Sequence, residues 1–354
     1  MKKTNKKNRK IFPGKKKSDF ELFNIILDKY SAWIAFGTVT FLSLFIFHDF
    51  VLGYSYYLFS DIAMDSVLYY FPNVFYFAKY LRMEGFPFWS FAQGMGQNIM
   101  ALSISDPFYW IVYLAGAPVA SYSIIWMEIA KILLASVAFY HFLKLWNLTA
   151  TSTVIGTVLY CFSGFMFVGG QWWVFSTEAC YLAILLLSFE KLYRQDSWYL
   201  FPLAVALIAV NSPFELYTSS LFLFIYFLFR YFSSGESTGK RFFSFILKMC
   251  CLGLLGVMIS SISLVANIQR ILESPRVGGG FSYFHALSSI SIFTLENPEH
   301  YVTALLRFLS NDLMGNGVTY SGWHNYLEAP LFYIGLLPLL LLPQVFVLFK
   351  NKRR

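Results

Sequence analysis

An all-α, polytopic membrane fold with about eight spanning helices is the architecture this sequence predicts, and three observations carry it. The first is composition: of 354 residues, 57% are hydrophobic, 21% aromatic and only 13% charged, against about 25% charged in soluble domains. The second is a succession of apolar runs near the roughly 20 residues that a spanning helix needs. The third is charge placement. Net charge is +8, yet Lys2, Lys3, Lys6, Lys7, Arg9, Lys10, Lys15, Lys16 and Lys17 put nine positive charges ahead of the first apolar run. A basic balance so concentrated reports orientation in a membrane, not a nucleic-acid partner.

Taken in order, the first span runs from Tyr30 to Val51 behind a basic leader of residues 1–29. That leader has no short apolar core or small-residue cleavage site, so the first span is read as retained and the leader as cytoplasmic. A long outer segment follows, to about Ser121, in which short surface helices are expected because loops of this length without regular elements are uncommon. The second span covers Tyr122 to Trp146, the third Thr151 to Gly169, the fourth Glu178 to Leu192, the fifth Trp198 to Val210 and the sixth Leu216 to Tyr231. A seventh, Phe243 to Ile271, is long enough to tilt. A second polar outer segment, 273–329, leads into the eighth, Pro330 to Phe349, with Pro330 well suited to a helix start, and a basic tail of residues 350–354. Lys144, Lys191, Arg194, Arg230, Lys240 and Arg241 then fall on the inner side, as do the tail cations. With both termini inside, the count is consistent with the positive-inside bias. Cys161, Cys180, Cys250 and Cys251 lie in or beside apolar runs without metal-ligand spacing and read as packing residues.

The chemistry-bearing stretch is SDIAMDSVLYYFP, from Ser60 to Pro72. Asp61 and Asp65 are four apart, so on one helix they share a face, and carboxylates this near hydrocarbon read by default as functional. Asp61 is placed to deprotonate an acceptor hydroxyl arriving from the aqueous side, with a helix cap as the plainer alternative. Asp65 is a second acid, a metal ligand or a solvated residue. The tail from Tyr69 to Arg82 suits a helix lying on the membrane surface. Glu178 and Glu215 stand at outer span ends, where they either line a shared cavity or face water. Arg270 and Arg276 flank the seventh span, to grip a phosphate bidentately or to snorkel among headgroups. Asn325 and Glu328 are further candidates for the cavity wall. His285, His300 and His324 have no metal-ligand spacing, so no metal site is assigned, while a divalent cation held by Asp61 and other oxygens stays open. These candidates cluster at outer helix ends, which favours surface chemistry over the mid-span charges of a transporter.

The basic leader, the first span, the SDIAMDSVLYYFP stretch with PFW and GMGQN after it, SDPF at Ser105, and LMGNGVTYSGWHNYLEAPLFYIGLLPLLLLP from Leu313 resemble the bacterial YfhO-like membrane proteins, which are assigned to glycosyltransferases of the GT-C class. The resemblance covers most of the chain after about Ile25. It implies a GT-C-like domain over residues 30–349, with outer loops 54–121 and 273–329. It also implies transfer of a sugar from a polyprenyl-phosphate carrier to an envelope polymer such as a teichoic acid, on the outer face of a bacterial cell membrane. In that class the first outer loop holds an acid essential to transfer, and Asp61 is the matching position. Beside that resemblance, Asp65 is read as a further catalytic candidate, and one or both of Arg270 and Arg276 as ligands of the donor phosphate. Longer relatives imply that this chain works with a second membrane protein. The competing expectation is a non-catalytic transporter or partner subunit for export of envelope lipid or polymer.

Overall fold

The computed structural model describes residues 19–59, 64–233, 238–273, 277, 291, 294–295 and 297–352. Among them, helix dominates and strand is confined to one two-residue antiparallel pair, β1 Trp89–Ser90 and β2 Gln97–Asn98.

Helix α1, Asp19–Ile46, continues the first apolar run and passes through a short α2, His48–Val51, to Gly53 at φ +77°. The first long segment holds the expected short helices. A π-helical turn over Ser66–Tyr70 feeds α3, Phe71–Met83, and then come α4, Met100–Ser103, and α5, Tyr109–Ala115. Their inner faces, through Val74, Phe77, Val112 and Tyr113, make one small core with Ile124 and Trp173 of the helix bundle.

Helix α6, Ala120–Leu145, is the hub: it packs on α1, α5, α7 and α9. It stops where Asn147 turns left-handed at φ +54°, and α7, Ala150–Cys161, starts at once because the Thr149 hydroxyl accepts from Ser152 N at 3.3 Å. The expected third span breaks after Cys161 and resumes as α8, Gly164–Phe167, and a 3-10 turn, Gly169–Trp172, bent by 40° from α7. Gly164 N, freed by that break, donates to Tyr333 O at 2.7 Å. Helix α9, Val174–Gln195, ends at left-handed Asp196, and α10, Leu200–Asn211, ends at extended Ser212, the geometry forced on a residue before proline. Pro213 then opens α11, Pro213–Ser233.

The expected seventh span is likewise two helices, α12, Gly239–Ile259, and α13, Ser261–Glu273. Ser260 turns its hydroxyl back on Val257 O at 3.0 Å and Gly256 O at 3.2 Å, a contact that bends helices. Gly256 lets α12 settle against α10, since a Cβ there would sit 2.6 Å from Pro202 O. The second long segment carries α14, Pro298–Leu309, and the last helix, α15, Leu336–Lys352, begins six residues after Pro330 rather than at it. Residues 331–334 instead have no regular structure, with Tyr333 O held by Gly164 N at the α7–α8 break, and Gly335 at φ +102° makes the turn into the helix.

Among the described residues four helices are long and apolar enough to cross a membrane, five if α7 and the bent segment 164–172 count as one. Helices α10 and α15 are apolar but shorter, and α9 carries four charged side chains, Glu178, Glu190, Lys191 and Arg194. The fold is an all-α membrane protein.

The two ends of the bundle differ. At one end Glu190, with no exposure, receives Arg230 Nε at 2.7 Å, Arg194 Nε at 2.6 Å and Tyr226 OH at 2.7 Å, and both guanidinium groups lie over Trp146. This basic end joins the C-termini of α6, α9 and α11, so these three run parallel. Both long segments gather at the other, loop end, where Phe59 meets Tyr326 with ring centroids 6.5 Å apart.

Candidate functional site

Sequence placed the first acid pair on one helix, and the backbone rules this out. Met64 is left-handed at φ +54° and the helical turn starts at Asp65, so no helix carries Asp61 and Asp65 on a common face. Asp61 itself lies outside the described residues. Asp65 is positioned by its neighbour: Ser66 Oγ donates to Gln171 O at 2.8 Å, tying the start of the surface helix to the 3-10 turn between α8 and α9. Gln171 also lines a cavity of about 260 Å³ with Phe47, Tyr56, Tyr57, Phe59 and Phe167, and the Gln171 Oε1 atom is buried without a partner. The last described residue before Asp61 is therefore in the wall of an aromatic pocket that holds an unmet hydrogen-bond acceptor.

Beneath that pocket the bundle contains a charge cluster. Asp106, Glu128 and Lys131 have 2%, 2% and 0% exposure. Lys131 Nζ reaches Glu128 Oε1 at 2.8 Å, Trp173 O at 3.0 Å and Asp106 Oδ2 at 3.6 Å. Asp106 also accepts from Phe108 N at 2.9 Å and from the Thr177 hydroxyl at 2.6 Å. Two carboxylates around one ammonium make a sealed group whose parts belong to the first long segment, α6 and α9. Its job in the fold is visible: it fastens the Ser105 to Ala115 piece onto two helices at once. Glu128 and Lys131 sit 8 and 11 residues past the start of α6, so ionisable groups that were not among the candidates at the outer helix ends lie within a span. The signal was present as an i,i+3 acid–base pair inside an apolar run.

Glu178 and Glu215 come together. They lie near the N-termini of the parallel helices α9 and α11, within electrostatic range of each other, and Asn211 Nδ2 donates to Glu215 at 2.6 Å. Arg270 is carried by α13, without its side chain among the described features, and Arg276 lies outside the described residues.

In the second long segment the dominant group is one that sequence reading passed over. Arg307, on the buried face of α14, has no exposure. Its Nη1 donates to Tyr326 O at 2.7 Å and to Ala329 O at 3.4 Å, and its Cζ lies 4.9 Å from the centre of the Tyr326 ring and 5.3 Å from that of Tyr320. Nε and Nη2 have no acceptor, and burial pulls the guanidinium below its ordinary pKa. Tyr326 in turn donates to Asp312 at 2.7 Å, and burial with that bond pushes its phenol up. Asn325 is a turn former here: its side-chain oxygen accepts from Leu327 N at 3.1 Å and Glu328 N at 2.9 Å. Glu328 is exposed, 3.4 Å from His324, and lines a cavity of about 340 Å³ with His300, Trp323, Phe165 and Phe175. Since Arg307 holds both ends of the turn that presents Glu328, Arg307→Met should open this turn. Chymotrypsin, which cuts after aromatic residues such as Tyr320, Trp323 and Tyr326, should then cut the segment at least several-fold faster than in wild type, and equal cutting rates would show that the guanidinium holds nothing there.

Among the described residues no three His, Cys, Asp or Glu side chains are grouped to hold a metal ion. What the loop end offers is two small aromatic pockets, hydrogen-bonding groups without partners, and carboxylates supplied by both long segments.

No curated protein and no solved structure is similar enough to match the chain. Residues 38–354 match the family described as bacterial membrane protein YfhO, a match that includes both long segments and every helix around the loop-end site. The chain belongs to the YfhO family of bacterial membrane proteins.

Proposed function

We propose that the loop end is the active face of a membrane glycosyltransferase that moves a sugar from a polyprenyl-phosphate carrier to an envelope polymer, of the teichoic acid kind. The observation that carries this reading is the convergence of both long segments on one end of the bundle, above the break between α7 and α8. Such a break is tolerated at membrane depth where it is covered by protein or lines a cavity; here Tyr333 covers it and Gln171 lines a pocket. Asp61 follows that pocket in the chain and is assigned the base that takes the acceptor proton. Arg270 and Arg276, with Arg307 as an inner anchor of the second segment, are assigned to the anionic side of the donor. The loop end faces the cell exterior and both termini face the cytoplasm, because the cations of α6, α9 and α11 collect at the opposite end. Supply of the purified chain with a sugar-loaded prenyl phosphate and an acceptor polymer tests the reaction. Sugar should pass to the polymer.

One observation favours the rival reading of a transporter, the Asp106–Glu128–Lys131 cluster within α6 and α9. It is sealed from solvent, however, and its hydrogen bonds are made within the bundle, so it lines no path. Orientation has its own test. Met95, fully exposed, and Val318, at 79%, lie on the two long segments. Met95→Cys and Val318→Cys, in a chain whose own cysteines are replaced by serine, should both react with an impermeant thiol reagent in intact cells. Labelling of one alone would overturn the placement of the segments on a common side.

A further inference from the structure

The end of the bundle opposite the loop-end site carries an uneven balance of charge. Over the last two turns of the parallel helices α6, α9 and α11 the sequence places one acid, Glu190, against Lys144, Lys191, Arg194 and Arg230. Asp196, which follows α9, is taken by Lys248. Glu190 has no exposure and is shared: its two oxygens receive Nε of Arg194 and both Nε and Nη2 of Arg230. Tyr226 adds a third donor. Two guanidinium groups therefore lie side by side on one carboxylate, and the group keeps one unit of positive charge. Holding like charges together, largely out of water, is costly unless an opposite charge completes the set.

Both terminal nitrogens of Arg194 and Nη1 of Arg230 have no acceptor among the described residues, and the two side chains keep 27% and 11% exposure. Neither fork is free to swing. Glu190 fixes the Nε atoms, and the two Cζ atoms lie 4.7 Å and 4.3 Å from the centre of the Trp146 ring. A pair of forks held in this way suits the oxygens of a phosphate. The surroundings are apolar: Phe229 and Phe232, on either side of Arg230 in the sequence of α11, are 63% and 71% exposed, and 17% of the apolar stretch of that helix is buried. A ligand here meets fixed cations and hydrocarbon together. We propose that Arg194, Arg230 and Trp146 form a site for the headgroup phosphate of one anionic phospholipid, in the leaflet at the basic end of the bundle. The single negative charge of a phosphodiester balances the charge that Glu190 leaves over. A zwitterionic lipid brings its own cation toward Lys144 and Lys191 and is disfavoured. The site rests on this end of the bundle alone and not on the transferase reading.

Native mass spectrometry of the full chain, freed of lipid and titrated in detergent, counts bound lipid directly. Wild type should hold one phosphatidylglycerol, with roughly tenfold preference over phosphatidylcholine, and its melting temperature should rise with the first lipid and not with the second. Arg194→Gln leaves Glu190 and Arg230 as a balanced pair, so the fold should persist while phosphatidylglycerol binding weakens roughly tenfold and the preference disappears. Lys240→Gln removes an exposed cation outside the cradle and should bind like wild type. The comparison of the two lipids on wild type needs no variant, so a misfolded variant does not remove the test. Equal binding of both lipids by wild type would overturn the proposal. Equal losses in Arg194→Gln and Lys240→Gln would also overturn it, because they mark a diffuse basic surface in place of a site. Inorganic phosphate separates a lipid from a soluble anion and should leave the melting temperature unchanged. A rise equal to that given by phosphatidylglycerol would assign the cradle to a soluble phosphate and overturn the lipid.

Discussion

Asp61→Asn is expected to lower sugar transfer by about 100- to 10,000-fold, the usual contribution of a general base, with the amount of protein in the membrane unchanged. The amide keeps the size of the carboxylate and removes its basicity. Asp65→Asn should cost less, because Asp65 begins a helix that Ser66 already ties to Gln171. The left-handed Met64 between them means that the two acids do not act as a helical pair. Initial rates for the two variants, measured at saturating donor, separate their roles. Equal losses would point to a shared metal or a shared proton in place of one base, and full activity of Asp61→Asn would remove Asp61 from the chemistry.

The second large effect concerns stability. Lys131→Met strands two carboxylates in a site with at most 2% exposure, and breaking a buried ion pair from one side costs about 3–5 kcal/mol. The melting temperature of the purified protein should fall accordingly, and the first long segment should loosen, since Asp106 anchors it. Replacing the whole group, as Asp106→Asn with Glu128→Gln and Lys131→Met, removes the uncompensated charge and should recover most of the loss. A Lys131→Met protein that melts like wild type would mean that the ammonium offsets neither carboxylate.

The succession of helices was legible because apolar runs of membrane length leave a strong signal, and the parallel course of α6, α9 and α11 followed from counting them. The breaks were not legible. The stretch CFSGFMFVGG carries no charge and only one hydroxyl, Ser163, so hydropathy reads straight across a bend at which Gly164 bonds to a residue far along the chain, Tyr333. Ser260 divides α12 from α13 by a hydroxyl–carbonyl contact that averaging cannot register. Pro330 offered a helix start, but the segment after it is drawn out along α8 and the helix waits for Leu336.

At the site the same limits apply. Glu128 and Lys131 cancel within a hydropathy window, and only their pairing reveals them. Arg307 lay within a segment read as polar loop, where the repeat of Val302, Leu305, Leu306 and Leu309 marks an amphipathic helix. Glu178 and Glu215 were found together because both stand at the start of parallel helices. Asn325 was read for its polarity, while its position two and three residues before the amides it accepts from makes it a turn former.

The most direct test of the central claim uses the full chain in lipid vesicles, with a prenyl phosphate carrying a radiolabelled sugar and an acceptor polymer outside. The account predicts label on the polymer in proportion to time, and next to none with Asp61→Asn. Label that stays on the carrier while the carrier itself changes leaflet would contradict it and make the protein a transporter.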